Sequence, residues 1–201
     1  MKILLATGNP HKFAEITAIL PRQTKTGEKL VYVSLKDFPN FKISPEDGHT
    51  LEENARIKAL PAAKQTGLLT ISDDTGLEVD ALNGRPGVHT ARYAGDQADA
   101  DDNNRKLLAE LGELELNKRS ARFRTVACLA MPDEKTLFFE GVLEGYIGFG
   151  YRGENGFGYD PIFVLPGTQK TLAELSPTKK NMISHRAQAF EKVAKYLKII
   201  S

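Results

Sequence analysis

Apolar positions along the chain alternate between short continuous runs and stripes at helical spacing. Ile3-Leu4-Leu5-Ala6 has the length and continuity of a buried strand. Phe13, Ile16, Ile19 and Leu20 follow at helical spacing. A second strand is predicted over Lys29 to Ser34, then a loop over 36–49 that carries Pro39, Pro45 and Gly48. Thr50 and Glu53 form a capping box that opens a helix with Leu51, Ala55, Ala59 and Ala62 on its apolar face. Pro61 lies inside that helix and predicts a kink or break near Ala59-Leu60. Leu68-Leu69-Thr70-Ile71 is the next strand, followed by Leu77 to Leu82 as a half-exposed extended segment and by a Gly-rich loop from Asn83 to Gly95. Asp99 to Leu111 is an amphipathic helix whose acidic first turn suits the helix dipole and which Gly112 stops. Arg119 to Met131 reads as a long strand, alternating in its first half and apolar on both faces in its second. Thr136 to Leu143 returns as its hairpin partner. A last helix carries Ala187, Phe190, Ala194 and Leu197 on one face, with Ser184 as its N-cap. Early alternation of strands and helices followed by a long hairpin predicts an α/β or α+β class with a mixed sheet, and 201 residues suffice for one large domain or two small lobes.

Composition narrows the function classes. Lysine plus arginine number 27 against 26 aspartate plus glutamate, a net charge of +1, so no global field draws the chain to nucleic acid or to a membrane. An anion must be bound by local clustering. The single Cys128 excludes an intrachain disulfide and a cysteine zinc site, and its apolar neighbours predict a buried thiol. No apolar run reaches membrane-spanning length, and the N-terminus is too short for a signal peptide, which predicts the cytoplasm.

Candidate chemistry clusters at a few places. Thr7-Gly8-Asn9-Pro10-His11-Lys12 joins a strand to a helix N-terminus, a junction that suits phosphate, although it lacks the second glycine and the Lys-Ser/Thr pair of a Walker A loop. Its bland alternative is a plain strand-to-helix turn. Lys58 falls on the face of its helix that should be buried, which calls for an anionic partner, a cleft, or an edge past which it snorkels. Ser72-Asp73-Asp74-Thr75-Gly76-Leu77 places two carboxylates at a strand end, a charge pair that a divalent cation relieves; a solvated turn is the alternative. Arg92 is a ligand for phosphate or carboxylate, or else a structural ion pair. Seven glycines lie from Gly141 to Gly158, the last of them within Phe157-Gly158-Tyr159-Asp160-Pro161, where Phe157 is placed to stack on a planar ligand or to fold back into the core. His185 and Arg186 in the first turn of the last helix oppose its dipole unless an anion or an acceptor-rich ligand faces them. Taken together, a phosphate-type loop, the lone cations Lys58 and Lys180, the acidic set Glu46, Asp73 and Asp74, a stacking aromatic and His-Arg donors describe a site for a nucleoside polyphosphate with Mg²⁺.

In this order the motifs also resemble those of the inosine triphosphate pyrophosphatase family. The matching residues are Thr7-Gly8-Asn9 with Lys12, Glu46 with Gly48 and Thr50, Glu53-Asn54-Ala55 with Lys58-Ala59, Asp73-Asp74-Thr75-Gly76-Leu77 with Val79, Gly84 with Pro86-Gly87 and Ala91-Arg92, Phe157-Gly158-Tyr159-Asp160-Pro161, and Ser184-His185-Arg186. The resemblance implies a single domain over 1–201 with an elongated two-lobed α/β fold, a mixed central sheet flanked by helices and an active site in the cleft between lobes. It also implies a homodimer. The implied reaction is hydrolysis of non-standard purine nucleoside triphosphates between the α and β phosphates, giving a nucleoside monophosphate and pyrophosphate. Carried over by position, Asp74 is the general base and a metal-site residue with Glu46, and Asp73 is a further metal-site carboxylate. Lys12, Lys58 and Lys180 hold phosphates, Thr75 touches substrate, and Phe157 through Asp160, His185 and Arg186 hold the base. Mg²⁺ is the implied cofactor, with a small nucleotide and neither nucleic acid nor membrane as partner. His11 stands where many members have Gly, Thr75 and Thr90 where Ser is common, and Asp47 adds a carboxylate beside Glu46. Two alternatives stay open from sequence: a nucleotide sensor that binds without cleaving, and an enzyme for modified pyrimidine nucleotides.

Overall fold

The computed structural model describes residues 1–38, 41 and 45–200. It contains five helices and a seven-stranded sheet among those residues. The strands are β1 (Lys2–Leu5), β2 (Val31–Ser34), β3 (Leu69–Val79), β4 (Pro86–Gly87), β5 (Ser120–Ala130), β6 (Thr136–Ile147) and β7 (Phe163–Val164). The helices are α1 (Pro10–Ile19), α2 (Leu51–Thr66), α3 (Ala100–Leu111), α4 (Pro177–Ile183) and α5 (His185–Leu197). The sheet runs in the order β2-β1-β3-β5-β6-β7, with β4 paired to β3. β1 is parallel to both β2 and β3, in register Ile3 to Tyr32 and Ile3 to Leu69, whereas β3–β4 and β6–β7 are antiparallel. The mixed sheet expected from the alternation of elements is therefore present.

The chain divides into two compact units. The first comprises Met1–Asp74, Thr125–Gly141 and His185–Ser201, and the second Thr75–Arg124 and Val142–Ser184. In the first unit β1 and the second half of β5 are buried on both faces. Ile3, Leu5, Ile16, Ile71, Ala127, Leu129, Phe190 and Val193 form one apolar cluster, while Leu4, Ala6 and Ala62 form another. On β5 the alternate residues Cys128 and Ala130 meet Ala55, Ala59 and Ala63, a small-residue seam that lets α2 approach the sheet closely. The second unit has its own core, built on Leu77, Val79, Leu107, Leu111, Phe123, Ile147, Tyr159, Ile162 and Phe163.

Several local expectations change. Asp73 and Asp74 do not end a strand: β3 continues through them to Val79, taking in the first half of the segment predicted over Leu77 to Leu82, whose second half, Asp80–Leu82, is a 3-10 turn. Both sides of the strand are packed here, so turn-forming residue types are overridden by tertiary contacts. α2 runs from Leu51 to Thr66 without a break at Pro61. The helix loses one backbone hydrogen bond there, and the buried alanines on either side hold it in place. The capping box at its start is half formed. Thr50 Oγ1 accepts from Glu53 N at 3.1 Å, but Glu53 Oε2 reaches back to His49 N at 2.7 Å. α4, capped by Ser176, is an additional helix. The loop expected over 36–49 is entered through a 3-10 turn over Leu35–Asp37, and Pro39 lies outside the described residues.

Candidate active site

Period-two geometry divides the adjacent carboxylates of β3. Consecutive side chains of a strand face opposite sides of the sheet. Asp73 shares its side with Ile71 and points toward α1 and α5, whereas Asp74 shares its side with Ser72, whose Oγ donates to Ala55 O of α2 at 2.5 Å. Each carboxylate therefore meets a different set of cations.

On the α2 side, Lys58 Nζ lies 3.1 Å from Asp74 Oδ1 and 2.8 Å from Glu46 Oε2. Asp74 Oδ2 accepts from Asn54 Nδ2 at 3.1 Å, and Asn54 Oδ1 accepts from Gly48 N at 2.9 Å. Asn54 thus ties the start of α2, the preceding loop and the carboxylate together. One helical turn separates Asn54 from Lys58, which is why both reach the same aspartate. Burial pushes Asp74 above the ordinary carboxylate range, more than Lys58 and Lys12 pull it down. Burial disfavours the charge on Lys58, but Asp74, Asp73 and Glu46 outweigh it and hold the ammonium charged.

On the other side, Asp73 is 2% exposed. Lys12 Nζ lies 3.0 Å and Arg186 Nε 3.4 Å from its Oδ2, and the Arg186 guanidinium also pairs with Glu15 Oε2 at 2.5 Å. Burial works to raise Asp73, yet Lys12 and Arg186 hold it well below the usual carboxylate range. The cationic first turn of α5 is thus answered by the protein's own anions, Asp73 and Glu15. His185, at the same turn, is buried. The loop ahead of α1 is arranged by its own side chains: Asn9 Oδ1 accepts from His11 N at 2.9 Å and Lys12 N at 3.3 Å, and Thr7 Oγ1 accepts from Asn9 N at 3.2 Å. Pro10 has no N–H, so the positive character of this junction rests mainly on the Lys12 ammonium. Gly8, Pro10 and His11 are exposed.

The second unit holds the aromatic turn. Gly156 and Gly158 adopt φ of +81° and +63°, the left-handed region that glycine enters without strain. Asp160 Oδ2 accepts from Phe157 N at 2.8 Å and from Lys180 Nζ at 2.8 Å. The same ammonium stands 4.5 Å from the centre of the Phe157 ring. Tyr159 is a core residue whose hydroxyl donates to Thr90 O at 3.0 Å. Lys180 is thus fixed to Asp160 and Phe157, and Phe157 is partly exposed whereas Tyr159 and Asp160 are buried. Thr75 is half-buried and Arg92 is exposed, at the end of a 3-10 turn over Thr90–Arg92.

The structure therefore joins Glu46, Lys58 and Asp74 in one group, Lys12, Asp73 and Arg186 in a second, and Phe157, Asp160 and Lys180 in a third. It does not gather Glu46, Asp73 and Asp74 as three converging ligands: among the described residues no group of three His, Cys, Asp or Glu side chains is placed to hold a metal ion. Two oxygen donors do converge, Glu46 Oε2 and Asp74 Oδ1, on the point where the Lys58 ammonium sits. Hard oxygens facing a shared cation are the donor chemistry that a hard divalent ion needs. Sequence reasoning passes over Asn54 and Glu15 as site residues. An asparagine one turn before a buried lysine is the signal that could have found the first; Glu15, on the short helix α1, leaves no such trace.

Among the described residues no helix is long and apolar enough to cross a membrane. Comparison with known proteins agrees over nearly the whole length. The model of the Ham1 family matches residues 3–196. A dITP/XTP pyrophosphatase of Elusimicrobium minutum is 59% identical over 198 residues, 98% of this chain and 100% of that protein. The dITP/XTP pyrophosphatase of Bacillus subtilis is 45% identical, over 96% of both chains. A HAM1 protein structure from Coxiella burnetii superposes with a TM-score of 0.89 at 41% identity and covers 100% of both chains. The Staphylococcus aureus Ham1 structure gives 0.86 at 40% identity over 98% of both chains. With the strand-borne acidic pair and the aromatic turn in place along this shared length, the chain belongs to the Ham1 family.

Proposed function

We propose that this protein hydrolyses non-standard purine nucleoside triphosphates (ITP, dITP and XTP) at the α–β phosphate bond, releasing a nucleoside monophosphate and pyrophosphate. The observation that carries the reading is the Asp74 group: a largely buried carboxylate, raised in pKa, fixed at one oxygen by Asn54 and at the other by a lysine it shares with Glu46. A base poised above the ordinary carboxylate range is better suited to accept a proton from water at neutral pH. The relatives' printed name, dITP/XTP pyrophosphatase, supports the substrate class.

The residues divide the work. Lys58 and Lys12 supply positive charge for the phosphate chain. An arriving polyphosphate gives Lys58 a partner of higher charge than Glu46 and releases Asp74 Oδ1 to face the attacking water. That water adds at the α-phosphorus, Asp74 takes its proton, and the α–β bridging oxygen leaves with pyrophosphate. Lys12 and Lys58 neutralise the charge that grows on that group. Glu46 and Asp74 would hold Mg²⁺, which when bound polarises the phosphate oxygens and offsets their charge. Asp73 we assign to holding Lys12 and Arg186. Phe157 is assigned to stack on the base, with His185 as a donor for the purine O6 and Thr75 and Arg92 as further substrate contacts. Lys180, expected to hold phosphate, is assigned instead to the Phe157 turn through Asp160. We place the reaction in the cytoplasm and expect a homodimer, which light scattering on the purified protein tests.

The functional test is product analysis with ITP, dITP, XTP, GTP and ATP, with and without Mg²⁺. Pyrophosphate release from the first three, lost on chelation, is expected. Release of orthophosphate would place the cut at another bond, and preference for a pyrimidine nucleotide would overturn the substrate class. Binding of ITP with no product would identify a sensor.

A further inference from the structure

The helix α3 carries two adjacent buried asparagines that the reaction does not use. Asn103 is 4% and Asn104 2% exposed. Consecutive helical residues diverge by about 100°, so the two amides serve different loops. Asn103 Nδ2 donates to Ala91 O at 3.1 Å and its Oδ1 accepts from Ala94 N at 2.7 Å, which closes the loop that carries Arg92. Asn104 Nδ2 donates to Gly158 O at 3.0 Å, in the peptide between Gly158 and Tyr159, one residue beyond Phe157. Its Oδ1 is buried and has no hydrogen-bond partner among the described residues. A buried acceptor left unsatisfied costs stability, and an apolar side chain of the same shape would avoid that cost. The residue is therefore held against a stability penalty, and beside its contact with the Tyr151 hydroxyl it hydrogen-bonds the turn that presents Phe157. Gly158, at φ +63°, has no side chain to pack and so cannot fix that peptide itself. Other ties of the turn act elsewhere, among them Asp160 Oδ2 on Phe157 N, Asp160 N on Phe157 O, and Lys180 beside the ring.

We propose that Asn104 is a positioning residue for substrate recognition: it anchors the Gly158 carbonyl to α3 and so sets the plane in which Phe157 meets the base. This rests on the reading of Phe157 as the stacking residue. Leucine at this position matches the shape, removes the orphaned acceptor and deletes the donor. Asn104→Leu is expected to raise KM for ITP about fivefold to tenfold, the scale of one lost hydrogen bond, with kcat within twofold and Tm close to wild type. Asn104→Asp, which turns an acceptor toward the Gly158 carbonyl, should do the same and serves if the leucine variant does not fold. The deciding measurement is a double-mutant cycle with Phe157→Ala. If Asn104 acts through Phe157, either substitution adds nothing to the KM of Phe157→Ala. If Phe157→Ala raises KM and the Asn104 effect adds in full, the positioning role is wrong while the stacking reading stands. If Phe157→Ala leaves KM unchanged, the stacking reading fails and the proposal with it. A fall in Tm with KM unchanged would make Asn104 purely structural and overturn the proposal.

Discussion

Asp73 and Asp74 are neighbours that the strand assigns to different tasks, and substitution should separate them. Asp73 neutralises the buried Arg186 and the half-buried Lys12. Asp73→Asn leaves Lys12 facing a neutral amide and Arg186 still paired with Glu15, and breaking a buried pair in this way costs about 3–5 kcal/mol. A fall of several degrees in Tm is expected for this variant. Asp74→Asn keeps the Asn54 and Lys58 neighbours at a more open position. Its Tm should stay near wild type while kcat for ITP drops about 10²–10⁴-fold, the usual contribution of a general base. Equal losses of stability in the two variants, measured by urea and thermal melts, would defeat this division. The acidic pair itself is legible in the sequence. Its division was not, because Asp, Thr and Gly read as a turn at a strand end, and only the packing on both faces shows that the strand continues. Lys58 is the reverse case: its place on the apolar side of a helix called for an anionic partner, a cleft or an edge to snorkel past, and Asp74 and Glu46 are the anionic partners.

At the level of elements, α2 sets the positions of both Asn54 and Lys58, and its regularity is what puts them on one carboxylate. Pro61 lies two-thirds of the way along it. The helix tolerates the proline, so the missing N–H bond to the carbonyl of Ile57 is a cost retained in the native state. Pro61→Ala restores that bond and should stabilise the protein by about 1–3 kcal/mol, seen as a higher urea midpoint with an unchanged m value. Lower stability would show that the proline ring makes contacts worth more than the bond. A proline in mid-helix is a sound sequence signal for a break. It misleads here because Ala55, Ala59, Ala62 and Ala63 are fully buried and hold the helix axis against β5 and β1. The α3 helix shows the opposite: Asp99 and Asp102 form a complete capping box, and local chemistry alone places its start.

Across the whole molecule, the division into two units leaves a trace in the pattern of β5. Its first half alternates in burial and its second half is buried throughout. The change falls at Arg124 and Thr125, where the chain passes from the second unit to the first. The sequence shows the same switch from alternating to continuously apolar residues, but one strand cannot reveal that β3 and β6 also cross between units. Cys128 belongs to the fully buried half and reports on the integrity of the first unit. Packed against Ala55, Ala59 and Ala63, its thiol is pushed by burial from 9.0 up to about 12. Below pH 9.0 the thiol is neutral in both folded and unfolded chains, and its contribution to stability is fully present. Between pH 9.0 and about 12 only the unfolded chain ionises, so that contribution is lost as the pH rises. Stability of the wild type should therefore fall more steeply across this window than that of Cys128→Ala, compared by urea melts at each pH. In the native state at pH 8 the thiol should react with Ellman's reagent only as fast as the unit opens, with full reactivity appearing across the urea transition. Stoichiometric labelling within seconds in the absence of denaturant would show that α2 does not stay seated on β5. The surface on which Lys58 and Asn54 are held to Asp74 would then lack the rigidity that the proposed chemistry requires.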